Sequence, residues 1–507
     1  MISIVQAPSP APIETVRSRS SAPVLWGVAV LALSALFLGY DIGMRPIVLW
    51  DESRVVSNAL EMSWSGFSLI TSYGFKPDLW NTKPPLLIWL IAGCVRLFGP
   101  SEWVVRTPSL LAALGTTAMV MGFSWRLSHS RFVTLCAPIL LVLSPGFFGA
   151  HAGQSADYEM LLCLFTTAYL LLLFKLLHQT RPKPGLVLLC GLLVAGACLT
   201  KGVAGVMPGV GVALYVVVRG RWPRLFRTPW YALSGLLVAA LVGGFYVLRE
   251  RAAPGYWSGV MTYELGGRYL HGMKSHVEPP YFYLETIFAS LALGPLLLAL
   301  LAAPWLRLPK MRSIAFLTYG GWVGATMLSV FSLSQTKIFW YMVPIYPILA
   351  IMLAILCDRA LRLLKLSRAG PLDSRQLVVS VATALLAASS VWTKSVALPP
   401  VEDLPQGRYG EVFAELNKAG IHWVRAIDGG VVNDDDLIDY TPQLHLYALA
   451  WGGRGMHVKL GGSGDLAALG RGEVVVTCDP QYLVAVRGLG APLTRVKDCA
   501  AATRSHG

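Results

Sequence analysis

Two carboxylates and an arginine stand close together early in the chain as Asp51, Glu52 and Arg54, and Lys83 follows before the next apolar run. A carboxylate next to a hydrophobic span can act as a general base or orient a metal ion. An arginine and a lysine can hold phosphate oxygens through charge-assisted hydrogen bonds. Together these residues predict a site that handles an anionic lipid.

The composition predicts a membrane protein. Of 507 residues, 55% are hydrophobic and only 14% are charged, a balance that soluble domains seldom reach. Apolar runs of at least ~18 residues, enough to cross a ~30 Å hydrocarbon core as helices, recur from Pro23 to Trp392. We expect an all-α polytopic membrane protein with about 11 spans and outer juxtamembrane helices.

One apolar segment, residues 85–99, is predicted to lie on the membrane, because it is short for a span and carries Arg96. The N-terminus is then cytoplasmic and the C-terminus extracytoplasmic. The crossing helices are predicted at residues 23–40, 106–127, 131–150, 157–178, 184–200, 202–218, 229–249, 283–306, 313–334, 338–357 and 375–393.

The formal net charge of +14 belongs to the predicted spans and their loops. Basic residues gather at alternate turns, which the positive-inside rule makes cytoplasmic. These cations flank apolar helices and do not line one surface, so nucleic acid is not an expected partner. We predict a multi-pass protein of the cell inner membrane, surrounded by membrane lipid.

Three regions follow from these patterns. Residues 1–22, rich in Ser, Pro and Ala, are predicted to be a loose cytoplasmic tail. Residues 23–393 form the transmembrane domain. Residues 394–507 alternate short apolar runs with Gly-rich turns, which predicts a small extracytoplasmic α/β domain.

The cysteines divide into two groups. Six lie in or beside apolar segments, where cysteine usually serves as a small buried hydrophobe. Cys478 and Cys499 lie in the tail, which the topology places in an oxidising compartment. We predict that they form a disulfide; the alternative is two unpaired thiols in a cytoplasmic domain.

Several short motifs in fixed order resemble the aminoarabinose-transferase and protein-mannosyltransferase superfamily. These are glycosyltransferases of the GT-C fold, of family 39 or 83 type. The matching motifs are Asp51-Glu52-x-Arg54, Lys83-Pro84-Pro85-Leu86, Leu97-Phe98-Gly99, Arg106-x-Pro108-Ser109, Asp157-x-x-Met160, Thr200-Lys201-Gly202 and Lys337-x-x-x-Tyr341.

The resemblance implies an enzyme that moves a hexosyl or pentosyl unit from a polyprenyl-phosphate donor, such as an undecaprenyl phosphate sugar. The acceptor would be a lipid, glycan or protein at the periplasmic face, as in lipopolysaccharide modification or protein glycosylation of the cell envelope. Asp51 would act as general base or orient the acceptor, and Asp157 would assist it.

Eight residues are predicted to bind substrate. Other roles stay open for some of the site residues: Asp51 could cap a helix, Lys83 could anchor at lipid headgroups, and Asp157 could cap its helix or assist catalysis. The predicted substrate-binding residues are Glu52, Arg54, Lys83, Lys201, Arg268, His276, Lys337 and Tyr341.

Metal dependence stays open at this stage. Aminoarabinose transferases usually carry a glutamate where this chain has Thr82, and its loss removes a proposed metal ligand. His276 and Glu278 could bind a divalent ion, since imidazole and carboxylate suit zinc. No other cofactor is expected.

A transporter or lipid flippase is the alternative, because many spans with intramembrane charges fit both functions. Transporters tend to place charges at mid-membrane on broken helices of repeated halves. Here the charges gather on the predicted outer face and no repeat is found, which favours the enzyme. A noncatalytic scaffold would have little need for such charges.

The predicted sidedness can be tested by cysteine labelling. In a chain whose membrane cysteines are replaced, Ser72→Cys should react with an impermeant thiol reagent added outside, because it lies in the first outer loop. Ser130→Cys should react only after the membrane is permeabilised. The opposite pattern would overturn the topology.

Overall fold

A computed structural model of the protein describes residues 22–47, 49–267, 278–290, 311–363, 405–429, 441–466 and 469–504. Helices make up most of the part up to residue 363. They are α1 (Ala22–Gly39), α2 (Trp50–Ser65), α3 (Leu86–Phe98), α4 (Glu102–Ser128), α5 (Arg131–Val142), α6 (Pro145–Phe148), α7 (Tyr158–Leu177), α8 (Pro184–Lys201), α9 (Met207–Val218), α10 (Trp222–Arg227), α11 (Pro229–Ala252), α12 (Tyr256–Gly259), α13 (Phe282–Ser290), α14 (Met311–Leu333) and α15 (Tyr346–Leu363).

Within the described residues, six helices are long and apolar enough to cross a membrane. They are α4, α7, α8, α11, α14 and α15, some of them extended by a neighbouring turn. Shorter apolar helices, α1, α3, α5 and α9, accompany them. The predicted span 375–393 lies outside the described residues, and 283–306 is described only where α13 begins it.

Three predicted spans are interrupted. The predicted helix 338–357 begins as the 3-10 helix Phe339–Ile345, before α15. The predicted helix 131–150 ends at Val142, and a separate short helix begins at Pro145. Ser144 adopts an extended conformation, as a residue before proline tends to do. The predicted helix 202–218 begins as a 3-10 turn, Gly202–Gly205, before α9.

The membrane helices pack closely around a continuous apolar core. A Cβ atom on Gly211 would lie 2.5 Å from the backbone of Val323, so only glycine allows α9 and α14 to approach this far. Small residues at helix contacts are the usual way to bring membrane helices together. This packing fixes the ends of the helices, where the polar residues gather.

The segment between α1 and α3, which the sequence predicts to be the first outer loop, is a folded unit. Helix α2 is almost fully buried along its length and packs on α3. A two-stranded hairpin, β1 (Ser72–Tyr73) with β2 (Lys76–Pro77), follows it. Asp78 accepts hydrogen bonds from the backbone N–H groups of Trp80 and Asn81 at 3.0 Å each. These contacts fix the chain just before Lys83.

The tail carries a four-stranded sheet in the order β4-β3-β5-β6. Strand β3 is parallel to β4 and β5, and β6 is antiparallel to β5. A disulfide joins Cys478, after β5, to Cys499, before β6. The elements are α16 (Tyr409–Lys418), β3 (Trp423–Ile427), α17 (Pro442–Gly452), β4 (His457–Gly461), β5 (Val474–Thr477), α18 (Leu483–Arg487) and β6 (Ala500–Thr503). The predicted boundary after residue 393 lies outside the described residues.

The tail docks on the first outer loop. Helix α17 packs against α2, and the His445 Nε2 and Glu61 Oε1 atoms lie 2.7 Å apart in a buried pair. Burial alone would raise the pKa of Glu61, but the hydrogen bond from His445 and others hold it below its ordinary value. The Ile47 N–H donates to the Tyr447 hydroxyl at 2.8 Å. The tail thereby braces the helix that carries Asp51.

The disulfide should stabilise the tail. Cys478→Ala/Cys499→Ala frees a loop closed over a sequence separation of 21, which should lower the free energy of unfolding of the tail by about 3 kcal/mol. Thermal unfolding followed through tail tryptophans would measure this loss. As a control, mass spectrometry of alkylated, nonreduced peptides should show the bridge, and two free thiols in protein from native membranes would contradict it.

Candidate active site

Asp51 lies in the first turn of α2, whose N-cap is Leu49 with no side-chain cap. The interpretation of Asp51 as a helix cap is therefore wrong. Its Oδ1 accepts a hydrogen bond from Arg54 Nη2 at 3.0 Å, and the Arg54 guanidinium lies 5.0 Å from the centre of the Trp50 ring. The Asp51 side chain is 32% exposed. Arg54 therefore orients a carboxylate that solvent and ligands can reach.

Glu52 is held entirely inside the protein. Arg106 on α4 donates to both carboxylate oxygens of Glu52, from Nε at 2.7 Å and from Nη2 at 3.0 Å. The Ala156 N–H donates to Oε1 of Glu52 at 2.8 Å. Arg106 also donates to the backbone carbonyls of Ile42 and Arg45 at 2.8 Å each. Glu52 thus joins the first loop to α4 and to the loop before α7. Its predicted contact with substrate stays a prediction.

Asp157 is the N-cap of α7, where its Oδ1 accepts from the Tyr158 N–H at 2.7 Å. Its other oxygen, Oδ2, lies 2.6 Å from Nδ1 of His151. The His151 ring stacks on Trp340, with centroids 3.6 Å apart and an interplanar angle of 20°. Asp157 both caps its helix and holds a neighbouring imidazole, so the two alternatives for this residue are compatible.

Asp51, His151 and Asp157 form one cluster, with one ligand-type atom from each within 4.8 Å of the others. Such a set could hold a divalent ion. Two atoms bound to one zinc ion at ~2.0–2.2 Å stand well over 3 Å apart in tetrahedral geometry. The separation of 2.6 Å between His151 and Asp157 is that of a hydrogen bond. We therefore interpret the cluster as a hydrogen-bonded group of acids and imidazole.

Lys83 is buried where the first loop meets the π-helix Val260–Gly267. Its Nζ lies 3.7 Å from Glu264 Oε1 and 5.5 Å from the centre of the Tyr158 ring. Thr82 also donates to Glu264 Oε1, at 2.7 Å. Glu264 thus compensates the buried charge of Lys83. Anchoring of Lys83 at exposed headgroups does not fit this burial.

Lys201 ends α8, and Gly202 adopts a positive φ of 55° that stops the helix there. The Lys201 Nζ donates to Oε1 of Glu159, in the first turn of α7. It also lies 5.2 Å from the centre of the Tyr341 ring. Lys201 is only 9% exposed and Glu159 1%. A buried ammonium needs such an anionic partner.

Lys83, Lys201 and Glu264 line a cavity of about 480 Å³. The remaining wall is mostly apolar and comes from α8, α11, α12 and the π-helix. We call this space the large cavity. A small cavity of about 100 Å³ adjoins it, lined by Lys201 and Glu264 together with Glu159, Trp340 and Tyr341. Lys201 and Glu264 therefore line both cavities, of which the small cavity is the more polar.

The remaining predicted residues lie apart or outside the described chain. Lys337 is buried and its Nζ donates to the Ser334 carbonyl at 2.8 Å, which ties the end of α14 to the following turn. Arg268 and His276 lie outside the described residues, and Glu278 is exposed. The metal pair His276 and Glu278 therefore stays a prediction.

Known proteins match up to about two thirds of the chain in sequence. A model of the dolichyl-phosphate-mannose-protein mannosyltransferase family matches residues 82–245. An uncharacterized protein of Aquifex aeolicus is 26% identical over 315 residues, covering 62% of this chain and 60% of that protein. An undecaprenyl phosphate-alpha-4-amino-4-deoxy-L-arabinose arabinosyl transferase of Edwardsiella ictaluri is 27% identical over 332 residues, covering 64% and 58%. The chain thus matches less than two thirds of the length of these relatives.

Solved structures extend the likeness to nearly the whole chain. ArnT from Cupriavidus metallidurans, bound to undecaprenyl phosphate, aligns with a TM-score of 0.68 at 17% identity, covering 95% of this chain and 98% of that one. The chain has the GT-C fold. An Archaeoglobus fulgidus oligosaccharyltransferase aligns with a TM-score of 0.51 at 13% identity, covering 87% and 64%. The predicted resemblance to polyprenyl-phosphate-sugar glycosyltransferases is confirmed.

Sequence reasoning gave no role to two residues of this GT-C site, Glu264 and His151. Glu264 pairs with residues of the first loop, far away along the chain. No local pattern signals such a contact. His151 lies close to the Asp157 motif in the sequence. This closeness was the only sequence signal that could have indicated a role for it.

Breaking the Glu52 pair should destabilise the whole site. Glu52→Gln leaves Arg106 buried without its counter-charge, so the free energy of unfolding should fall by about 3–5 kcal/mol. Thermal unfolding in detergent would measure the loss. Glu411→Gln, at an exposed carboxylate of α16, serves as control and should change stability by less than about 0.5 kcal/mol. Equal effects of the two substitutions would contradict the structural role of Glu52.

Proposed function

We propose that the protein is an integral membrane glycosyltransferase that moves a sugar from a polyprenyl-phosphate donor to an acceptor hydroxyl. The observation that carries the proposal is the large cavity, an otherwise mostly apolar space whose lining includes Lys83 and Lys201. A polyprenyl phosphate has the matching form, a long apolar chain that ends in an anion. The bound ligand printed for ArnT, undecaprenyl phosphate, has this chemistry.

In the proposed donor complex, the phosphate lies between Lys83 and Lys201, and the prenyl chain fills the apolar part of the large cavity. The phosphate then replaces Glu264 as the partner of Lys83, while the Lys201 ammonium, which has three N–H donors, binds the phosphate and keeps its contact with the buried Glu159. A buried cation can change partners in this way because its charge stays compensated throughout. The predicted phosphate contact of Arg54 is less favoured, since Arg54 binds Asp51.

Asp51 is the proposed general base. The acceptor oxygen forms a bond to the anomeric carbon of the sugar, and its proton passes to the Asp51 carboxylate. The bond from the anomeric carbon to the phosphate oxygen breaks, and its electron pair leaves with the polyprenyl phosphate. Lys83 and Lys201 stabilise the negative charge that develops on this phosphate. Asp157, engaged with His151, assists from beside Asp51.

We place the reaction at the periplasmic face of the inner membrane, with a lipid, glycan or protein as acceptor. The positive-inside pattern supports this orientation. The placement of charges also disfavours a flippase, because Glu159 lies in the first turn of α7 and Lys201 in the last turn of α8. Charges at helix ends can form a site at one membrane surface, whereas transporter sites lie near the midplane.

Asp51→Asn should lower sugar transfer by about 10²–10⁴-fold while folding is preserved, because an amide cannot accept the acceptor's proton. The products can be found by comparing mass spectra of lipids, surface polysaccharides and exported proteins from cells with and without the gene. Cells that carry Asp51→Asn should match the deletion. Products at the wild-type level would remove Asp51 from the base role.

Donor binding gives an independent test of the cations. Lys83→Met should weaken binding of a polyprenyl phosphate by about 1.5–3 kcal/mol, the scale of a hydrogen bond to a charged group. Lys201→Met/Glu159→Gln should do the same, and it leaves no lone charge buried. Affinity can be measured by native mass spectrometry or fluorescence in detergent.

Two matched controls separate the phosphate contact from general damage. Glu264→Gln removes the carboxylate beside Lys83 and should leave affinity unchanged or higher, because the phosphate no longer competes with it. Lys183→Ala, an exposed lysine before α8, should have no effect. Unchanged affinity in both the Lys83 and the Lys201 variants would exclude this site for the phosphate.

A further inference from the structure

Two side-chain contacts and an unusual backbone conformation fix the orientation of His151. Its Nδ1 lies 2.6 Å from Asp157 Oδ2, and its ring stacks on Trp340 at 3.6 Å. Its backbone has a φ of 59°, a left-handed conformation that costs energy for a residue with a side chain. The surrounding structure therefore keeps this imidazole next to both Asp157 and Asp51.

Three carboxylates act on this imidazole, and two cations act on those carboxylates. Asp157 and Glu159 come from the start of α7, and Asp51 comes from α2. Lys201, from the end of α8, acts on Asp157, and Arg54 donates to Asp51. Trp340, from the 3-10 helix Phe339–Ile345, adds an aromatic face and no charge. The immediate surroundings of His151 are thus mainly negative.

The electrostatics of the pair follow from these neighbours. Burial alone would lower the pKa of His151, but its hydrogen bond to Asp157 and the nearby carboxylates raise it above its ordinary value. Burial alone would raise the pKa of Asp157, but His151 first and Lys201 after it hold that pKa below its ordinary range. Both shifts favour the form of the pair in which an imidazolium is bound to a carboxylate.

We propose that His151 is a positioning residue whose imidazolium stands beside Asp51 and Asp157 and offsets the repulsion between these two carboxylates. The proposal rests on the proposed role of Asp51 as general base. Two carboxylates that share a site tend to share one proton, because two like charges at close range repel each other. The His151 imidazolium opposes this together with Arg54, which donates to Asp51, and Lys201, which acts on Asp157. A protonated Asp51 could not accept the proton of the acceptor. His151 thus acts through Asp51 and has no bond to make or break itself.

The acid limb of the pH profile of kcat/KM tests this role. His151→Gln keeps a polar side chain but removes the charge, so the acid limb should move up by about one pH unit or more, which is tenfold in rate on that limb. Asp157→Asn, which still caps α7, removes the second carboxylate and should not raise the limb.

The double variant His151→Gln/Asp157→Asn decides between electrostatics and structure. With neither the cation nor the second carboxylate, the acid limb should return toward its wild-type position. A purely structural role of His151 predicts no such return, since the double variant has lost more contacts than the single one. A limb that stays shifted in the double variant, or never shifts in His151→Gln, would overturn the proposal.

Nitrogen NMR of histidine-labelled protein in detergent gives a readout that does not need activity. At pH 7.5 the wild-type protein should show a ring with both nitrogens protonated, and His151→Gln should lack that signal. A neutral ring would reject the role of His151, even if sugar transfer is observed. A protonated ring in a wild-type protein that transfers no sugar would instead reject the proposed function.

Discussion

A charge buried at the edge of a membrane domain must have a partner of opposite sign. The free energy lost when an ion leaves water is large, and an oppositely charged neighbour is needed to offset it. The candidate site is organised around that constraint. Four of its ion pairs each join two parts of the chain, and together they connect the first loop, α4, the loop before α7, α7, the end of α8 and the π-helix. The pairs are Glu52 with Arg106, Asp157 with His151, Lys201 with Glu159, and Lys83 with Glu264.

These pairs differ in whether an incoming anion can replace one of the two partners. Arg106 and Glu52 satisfy each other in a two-pronged contact and make further bonds to backbone, so this pair fixes architecture. Lys83 is 3.7 Å from Glu264, a looser contact at the wall of a cavity. An incoming anion can replace a carboxylate of this second kind at little electrostatic cost. Paired charges thus stabilise the fold at Glu52 and Arg106 and form the proposed binding site at Lys83 and Glu264.

The sequence predicts some of these features and hides others. The long apolar runs of α4, α7 and α11 are visible because a membrane span needs length and hydrophobicity alone. The break before Pro145 is hidden, because the apolar run continues through it. Lys201 is visible as a charge between two apolar runs, whereas Glu264 is hidden, since its partner Lys83 is far away in sequence. Pairing across distant loops depends on the fold and leaves no local pattern.

The central claim is that Lys83 and Lys201 together hold the phosphate of a polyprenyl donor. A cryo-electron microscopy structure of the protein with added undecaprenyl phosphate tests it most directly. The account predicts a phosphate within hydrogen-bond distance of both ammonium groups, with the prenyl chain along the wall formed by α8 and α11 and with Glu264 turned away from Lys83. Density for the phosphate elsewhere, with the Lys83 and Glu264 contact intact, would contradict it.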